Sequence, residues 1–85
     1  MYKIGVLALD GFALMSYASL VEPLRAANLL SKKPLYQIIN VTSNNNFALS
    51  STGIKVEGCN FRKVNTFLDL VVVVAGGDPF LFENK

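Results

Sequence analysis

Residues Leu68 to Ala75 read Leu-Asp-Leu-Val-Val-Val-Val-Ala. Consecutive β-branched side chains are stiff at χ1 and pack well on a pleated surface, so this run is expected to be a strand. Side chains alternate across a strand, and here both sides are apolar, the pattern of a parallel-sheet strand covered above and below. The run therefore asks for a central place in a sheet and a packed layer on each face. Leaving half of Val71 to Val74 in water would forgo roughly 1.5 to 3 kcal/mol for each large apolar group.

The opening of the chain has the same character. From Tyr2 to Leu9, Ile4, Val6 and Ala8 fall on one face and Gly5, Leu7 and Leu9 on the other, a second strand buried on both sides. Asp10-Gly11 then turns the chain. Leu14, Tyr17, Ala18, Val21, Leu24 and Asn28 recur at helical spacing and predict an amphipathic helix of roughly four turns. Pro23 lies inside it and is expected to bend it, while Lys32 and Lys33 complement the helix dipole and Pro34 stops the helix.

Tyr36 to Thr42 reads as a less apolar strand, expected nearer a sheet edge. Ser43 to Asn46 is a polar turn, and Phe47 to Leu49 and Ile54 to Val56 flank Ser-Ser-Thr-Gly as a short hairpin. A helical turn is expected around Lys63 to Phe67. Gly76-Gly77 ends the valine strand, and Asp78-Pro79 has the form of a helix N-cap followed by proline at the first helical position. The order is that of an α/β domain with a parallel sheet and right-handed crossovers. One full helix cannot cover both sheet faces, so the expectation is the front portion of a larger domain, or a face covered by another chain.

Composition removes several classes of function. With no His and one Cys among 85 residues, neither a Cys/His zinc site nor an internal disulfide can form. Eight Lys and Arg are scattered among six carboxylates for a net charge of +2, which is no footprint for nucleic acid. The apolar run Leu70 to Ala75 is too short to span a bilayer, and the first residues form no signal core, so no membrane partner and a cytoplasmic setting are expected. Only 16% of residues are charged, low for so small a chain, and part of its surface is expected to meet a partner.

Two loops lie where open α/β sheets bind ligands, at the carboxyl ends of strands: Asp10-Gly11-Phe12 and Ala75-Gly76-Gly77-Asp78. Both can equally be read as tight turns that need glycine. Gly76-Gly77 offers backbone N–H groups at an expected helix start, a geometry suited to an anion. Neither a P-loop nor a dinucleotide fingerprint is present. Cys59 has no histidine to take its proton and is read as structural, and Ser50-Ser51-Thr52 as a plain turn. Glu22 and Arg25 are spaced for a surface ion pair, and no catalytic pair, metal set or cofactor motif emerges.

Three segments carry a resemblance: Ile-Gly-Val-Leu-Ala-Leu-Asp-Gly-Phe at residues 4 to 12, Val-Glu-Pro-Leu-Arg-Ala-Ala-Asn at 21 to 28, and Val-Val-Ala-Gly-Gly-Asp at 73 to 78. They are similar to the ThiJ/PfpI (class I glutamine amidotransferase-like) superfamily, and more narrowly to the N-terminal domain of AraC-type transcriptional regulators. The resemblance implies a flavodoxin-like three-layer sandwich with a parallel sheet, of which residues 1–85 form the N-terminal part. It further implies a nucleophile elbow and a helix-turn-helix module beyond this chain. The acidic residue of the superfamily's enzymes falls at or next to Ser16, which cannot replace a carboxylate. An effector-sensing and oligomerising domain is therefore implied rather than an enzyme.

On that reading a small-molecule effector is bordered by Asp10, Gly11, Phe12, Ser16, Gly76, Gly77 and Asp78, with no cofactor and no metal. Partners are a second copy in a homo-oligomer, and DNA only through the C-terminal module. The alternative is a fragment of a PfpI-type cysteine-dependent hydrolase, hydratase or deglycase with its Cys and His downstream. Cys59 does not map onto that elbow. A third reading is a self-contained dimer that buries its open sheet face against its own copy.

Overall fold

A computed structural model of the chain describes residues 1–43 and 45–76. Strand β1 (Tyr2–Ala8) forms the middle of a parallel sheet, paired on one side with β2 (Tyr36–Thr42) and on the other with β6 (Leu70–Val74). A two-residue strand, β5 (Cys59–Asn60), extends the sheet beyond β2, giving the order β5-β2-β1-β6. Strands β3 (Phe47–Leu49) and β4 (Lys55–Glu57) make a separate antiparallel hairpin. This is the expected α/β class with a parallel sheet.

The register decides which side chains share a face. Ile4 lies opposite Ile38 and Leu70, Val6 opposite Asn40 and Val72, and Ala8 opposite Thr42 and Val74. Helix α1 (Leu14–Ser31) packs on that face through Leu14, Tyr17, Leu20, Val21 and Leu24. The resulting core joins Ile4, Val6, Ala8 and Val74 to Phe12 and Ala48. Asn28 ties the far end of the helix to β2: its Nδ2 donates to the Tyr36 carbonyl at 2.7 Å and its Oδ1 accepts the Tyr36 N–H at 2.8 Å.

The helix runs through Pro23 and spans 18 residues, about five turns rather than four. It ends at Lys32, whose left-handed backbone (φ 58°) lets its N–H reach the Leu29 carbonyl. A side chain in that conformation costs about 1 to 2 kcal/mol, which glycine would avoid.

Several expectations are corrected. The valine strand lies at the edge of the sheet among the described residues, not at its centre, because β6 pairs there with β1 alone. Val71 and Val73 stand opposite Gly5 and Leu7 on the face away from α1 and are 52% and 56% exposed. Conversely, β2 lies inside the sheet at its carboxyl end, where Val41 and Thr42 pair with Cys59 and Asn60. Asn40, which gives β2 its polar look, is satisfied by Tyr17, whose hydroxyl donates to Asn40 Oδ1 at 2.9 Å.

The strand expected from Leu68 to Ala75 is shorter, because Asp69 anchors its entry. The Asp69 N–H donates to the Lys3 carbonyl at 2.8 Å, and Asp69 Oδ2 accepts the Lys3 N–H at 2.7 Å. Leu68 instead covers Gly5, where an added Cβ would meet Leu68 Cδ1 at 2.6 Å. The expected helical turn at Lys63 to Phe67 is replaced by a 3-10 turn at Phe61–Lys63, capped by Asn60 Oδ1 accepting the Arg62 N–H. Ile54 precedes β4 instead of joining it. The helix start expected at Asp78-Pro79 lies outside the described residues.

Candidate functional site

Parallel strands deliver their following loops to one edge of the sheet, so the segments after β1, β2 and β6 converge. After β1, Gly11 adopts a left-handed backbone (φ 86°) that turns the chain back toward the hairpin. Its N–H donates to the Leu49 carbonyl at 2.8 Å, and Asp10 Oδ1 accepts the Leu49 N–H at 3.0 Å. The Ser51 N–H then donates to the Phe12 carbonyl at 2.8 Å, in a bridge that joins Phe12 to Ser50. The hairpin is thus stitched to the first loop by backbone and carboxylate alike.

The loop after β6 meets the same segment. The Leu9 N–H donates to the Val74 carbonyl at 3.1 Å and the Ala13 N–H to the Ala75 carbonyl at 3.3 Å. A Cβ placed on Gly76 would lie 1.9 Å from the Gly11 carbonyl oxygen. The structure therefore brings the Asp10-Gly11-Phe12 and Ala75-Gly76 loops together.

Their roles divide. Phe12 is fully buried, its ring centroid 5.8 Å from that of Tyr17, so it belongs to the core and not to a ligand surface. Gly76 is a packing contact. Ser16 is exposed on the first turn of α1 and lines none of the cavities described below. Gly77 and Asp78 lie outside the described residues.

A cavity of about 480 Å³ opens between the first loop and the hairpin. Asp10 and Gly11 form one wall, and Asn45, Phe47, Leu49, Ser50 and Ser51 form the rest. The hairpin residues were missed in the sequence because a short turn has no chemistry of its own. The available signal was topological: the segment after β2 starts at the same carboxyl edge as the loop after β1. Ser50 is buried and spent on its own turn, its Oγ accepting the Ile54 N–H at 2.9 Å and the Thr52 N–H at 3.3 Å. Among the described residues, Asp10 is the one charged side chain lining the cavity.

A neighbouring cavity of about 570 Å³ holds Cys59 beside Lys55, Glu57 and Phe47. The Lys55 ammonium stands 4.4 Å over the Phe47 ring, and the thiol donates to the Asn60 carbonyl at 3.5 Å. A chain without histidine gives this thiol no imidazole base. Among the described residues no three His, Cys, Asp or Glu side chains gather as a metal site. At the far end of α1, Arg25 lines a third cavity and pairs with Glu22 at 2.7 Å; that hydrogen bond and then the carboxylate charge hold the guanidinium above its ordinary pKa. No helix among the described residues is long and apolar enough to cross a membrane.

No protein-family model matches the chain. It is 46% identical over 77 residues to the HTH-type transcriptional regulator GlxA of Rhizobium meliloti (strain 1021), which covers 91% of this chain and 24% of that protein. It is 37% identical over 74 residues to the HTH-type transcriptional regulator GbdR of Pseudomonas aeruginosa (strain UCBPP-PA14), covering 87% of this chain and 20% of the relative. Among solved structures, it superposes on an AraC family transcriptional regulator from Pseudomonas putida with a TM-score of 0.77 and 23% identity, over 89% of this chain and 41% of the other. That likeness supports the fold. The chain thus spans about a quarter or less of the length of the curated relatives it matches.

Proposed function

We propose that these residues open the effector-sensing and self-associating domain of an AraC-type transcriptional regulator, built on a ThiJ/PfpI-like flavodoxin fold. The observation that carries the reading is the 46% identity to an HTH-type regulator across nearly the whole chain. DNA is bound by a helix-turn-helix module outside these residues, and the scattered cations here supply no competing basic stripe. The protein acts in the cytoplasm and pairs with a second copy.

The effector binds in the cavity at the carboxyl edge of the sheet, between the Asp10-Gly11 loop and the hairpin. Binding shifts the balance between domain arrangements by its differential affinity for them. Catalysis is not proposed, since by the superfamily resemblance the enzymes' acidic position falls at or next to Ser16, which cannot replace a carboxylate. The third reading, a self-contained dimer, does not account for relatives that extend so far past this segment.

The test compares the whole regulator with a version lacking residues 1–85 in an operator-binding assay with and without a metabolite extract. The expected result is that truncation leaves operator binding in place and abolishes its response to the extract. A parent gene that continues into a cysteine elbow with a nearby histidine, and no helix-turn-helix, overturns the reading in favour of the hydrolase.

A further inference from the structure

We propose that the cavity between Asp10 and the hairpin selects a small cation bearing N–H groups, a primary ammonium or a guanidinium, and rejects carboxylates and quaternary ammonium ions. The inference rests on the reading of this cavity as the effector site and adds the ligand's chemical class.

Charge is the first argument. Among the described residues, Asp10 is the one ionised side chain on the cavity wall, and neither Lys nor Arg lines it. An anionic ligand would meet a like charge on the wall itself, whereas a cation finds its counter-charge in place.

Hydrogen-bond capacity is the second. A carboxylate offers about four acceptor sites. Asp10 Oδ1 takes the Leu49 N–H at 3.0 Å, and among the described residues no donor reaches Oδ2. The Ser51 hydroxyl and the Asn45 amide carbonyl add acceptors around the same space. Such a set is matched by several N–H donors on one positive group, and charge-assisted bonds of this kind are the strong ones.

The third argument separates N–H cations from quaternary ones. A quaternary ammonium has no donor and is held by aromatic faces. Among the described residues this cavity has one ring, Phe47, and the Lys55 ammonium of the neighbouring cavity already stands over it at 4.4 Å. Phe47 and Leu49 are left to pack a short apolar tail. Because the carboxylate that meets the ligand also holds Leu49, occupancy is felt directly by the hairpin.

The experiment follows the backbone amide resonances of Gly11, Leu49 and Ser51 in the whole protein during titration with n-butylguanidinium, n-butylamine, tetramethylammonium and butyrate. The first two probes are expected to shift these amides and the last two to leave them in place. Asp10→Asn keeps an oxygen for the Leu49 N–H, and it is expected to weaken the two N–H cations about tenfold with the rest of the spectrum unchanged. Ser51→Ala, which leaves the Asp10 bond intact, is expected to weaken them by a smaller factor. Butyrate or tetramethylammonium shifting the same amides as strongly overturns the ligand class and leaves the cavity as a binding site. No shift at these amides with any of the four probes overturns both the class and the effector-site reading.

Discussion

Gly76 packs against the backbone of Gly11 with no room for a side chain of its own: a Cβ on Gly76 would sit 1.9 Å from the Gly11 carbonyl oxygen. That contact locks the exit of β6 onto the exit of β1, and the Ala13 N–H to Ala75 carbonyl bond repeats the tie two residues along the first loop and one residue back along the other. Gly76→Ala must move one loop off the other, and overpacking of this kind costs about 1 to 3 kcal/mol or more.

A control separates packing from backbone conformation. Gly53 has the same φ of 86° as Gly11, but open space surrounds its Cβ position. Gly53→Ala is therefore expected to cost only the left-handed penalty, about 1 to 2 kcal/mol. Gly76→Ala should lower the urea midpoint further than Gly53→Ala and also displace the Gly11 amide resonance, which Gly53→Ala leaves in place. Equal midpoints with an unmoved Gly11 would show that the two loops do not meet.

Phe12 was expected at the ligand and is found in the core, fully buried against Tyr17. Phe12→Ala is expected to destabilise by about 3 to 5 kcal/mol, the range for deleting a buried ring. Phe12→Leu retains most of the volume, so it should fold and bind ligand with little change. Denaturant unfolding reads the first effect and ligand titration of the leucine variant the second; a large affinity loss in Phe12→Leu would return this residue to the site.

The hydroxyl of Tyr17 holds Asn40 across the helix and sheet at 2.9 Å. Tyr17→Phe is expected to cost about 1 kcal/mol, the usual net worth of one such bond. Asn40→Ala should cost more, since it strands the hydroxyl and also removes the Nδ2 that donates to the Glu57 carbonyl at 3.4 Å. A double-mutant cycle on unfolding free energies is expected to show a coupling of about 0.5 kcal/mol or more.

The parallel sheet and the helix face were legible because both rest on periodicity, which hydrophobic burial enforces. The alternation through Ile4, Val6 and Ala8 and the spacing of Leu14, Tyr17, Val21 and Leu24 each meet a core partner. Strand order was not legible, since Asn40 makes β2 look peripheral until its tyrosine partner is known. The convergence of Asp10-Gly11 with Gly76 follows from strand direction alone. The hairpin wall was hidden because Leu49 and Ser51 are held against the first loop through backbone groups, which every residue carries.

Val71 and Val73 carry the remaining prediction. Their neighbours Val72 and Val74 face α1, and Val74 is 4% exposed, so one strand has a finished side and an open side. On the open side Leu68 shields Gly5, while Val71 and Val73 remain more than half exposed. If a second helical layer supplied from outside these residues covers that face, a charge there is harmless in the 85-residue chain and costly in the covered protein. Val71→Lys with Val73→Lys is expected to raise the solubility of the 85-residue chain, because it breaks an apolar edge strand of the kind that aggregates. In a full-length protein that carries such a layer the same pair should lower stability by about 3 kcal/mol or more, the cost of burying unpaired charge. Matched unfolding curves for the substituted and parent full-length proteins would show instead that the valine face stays in water.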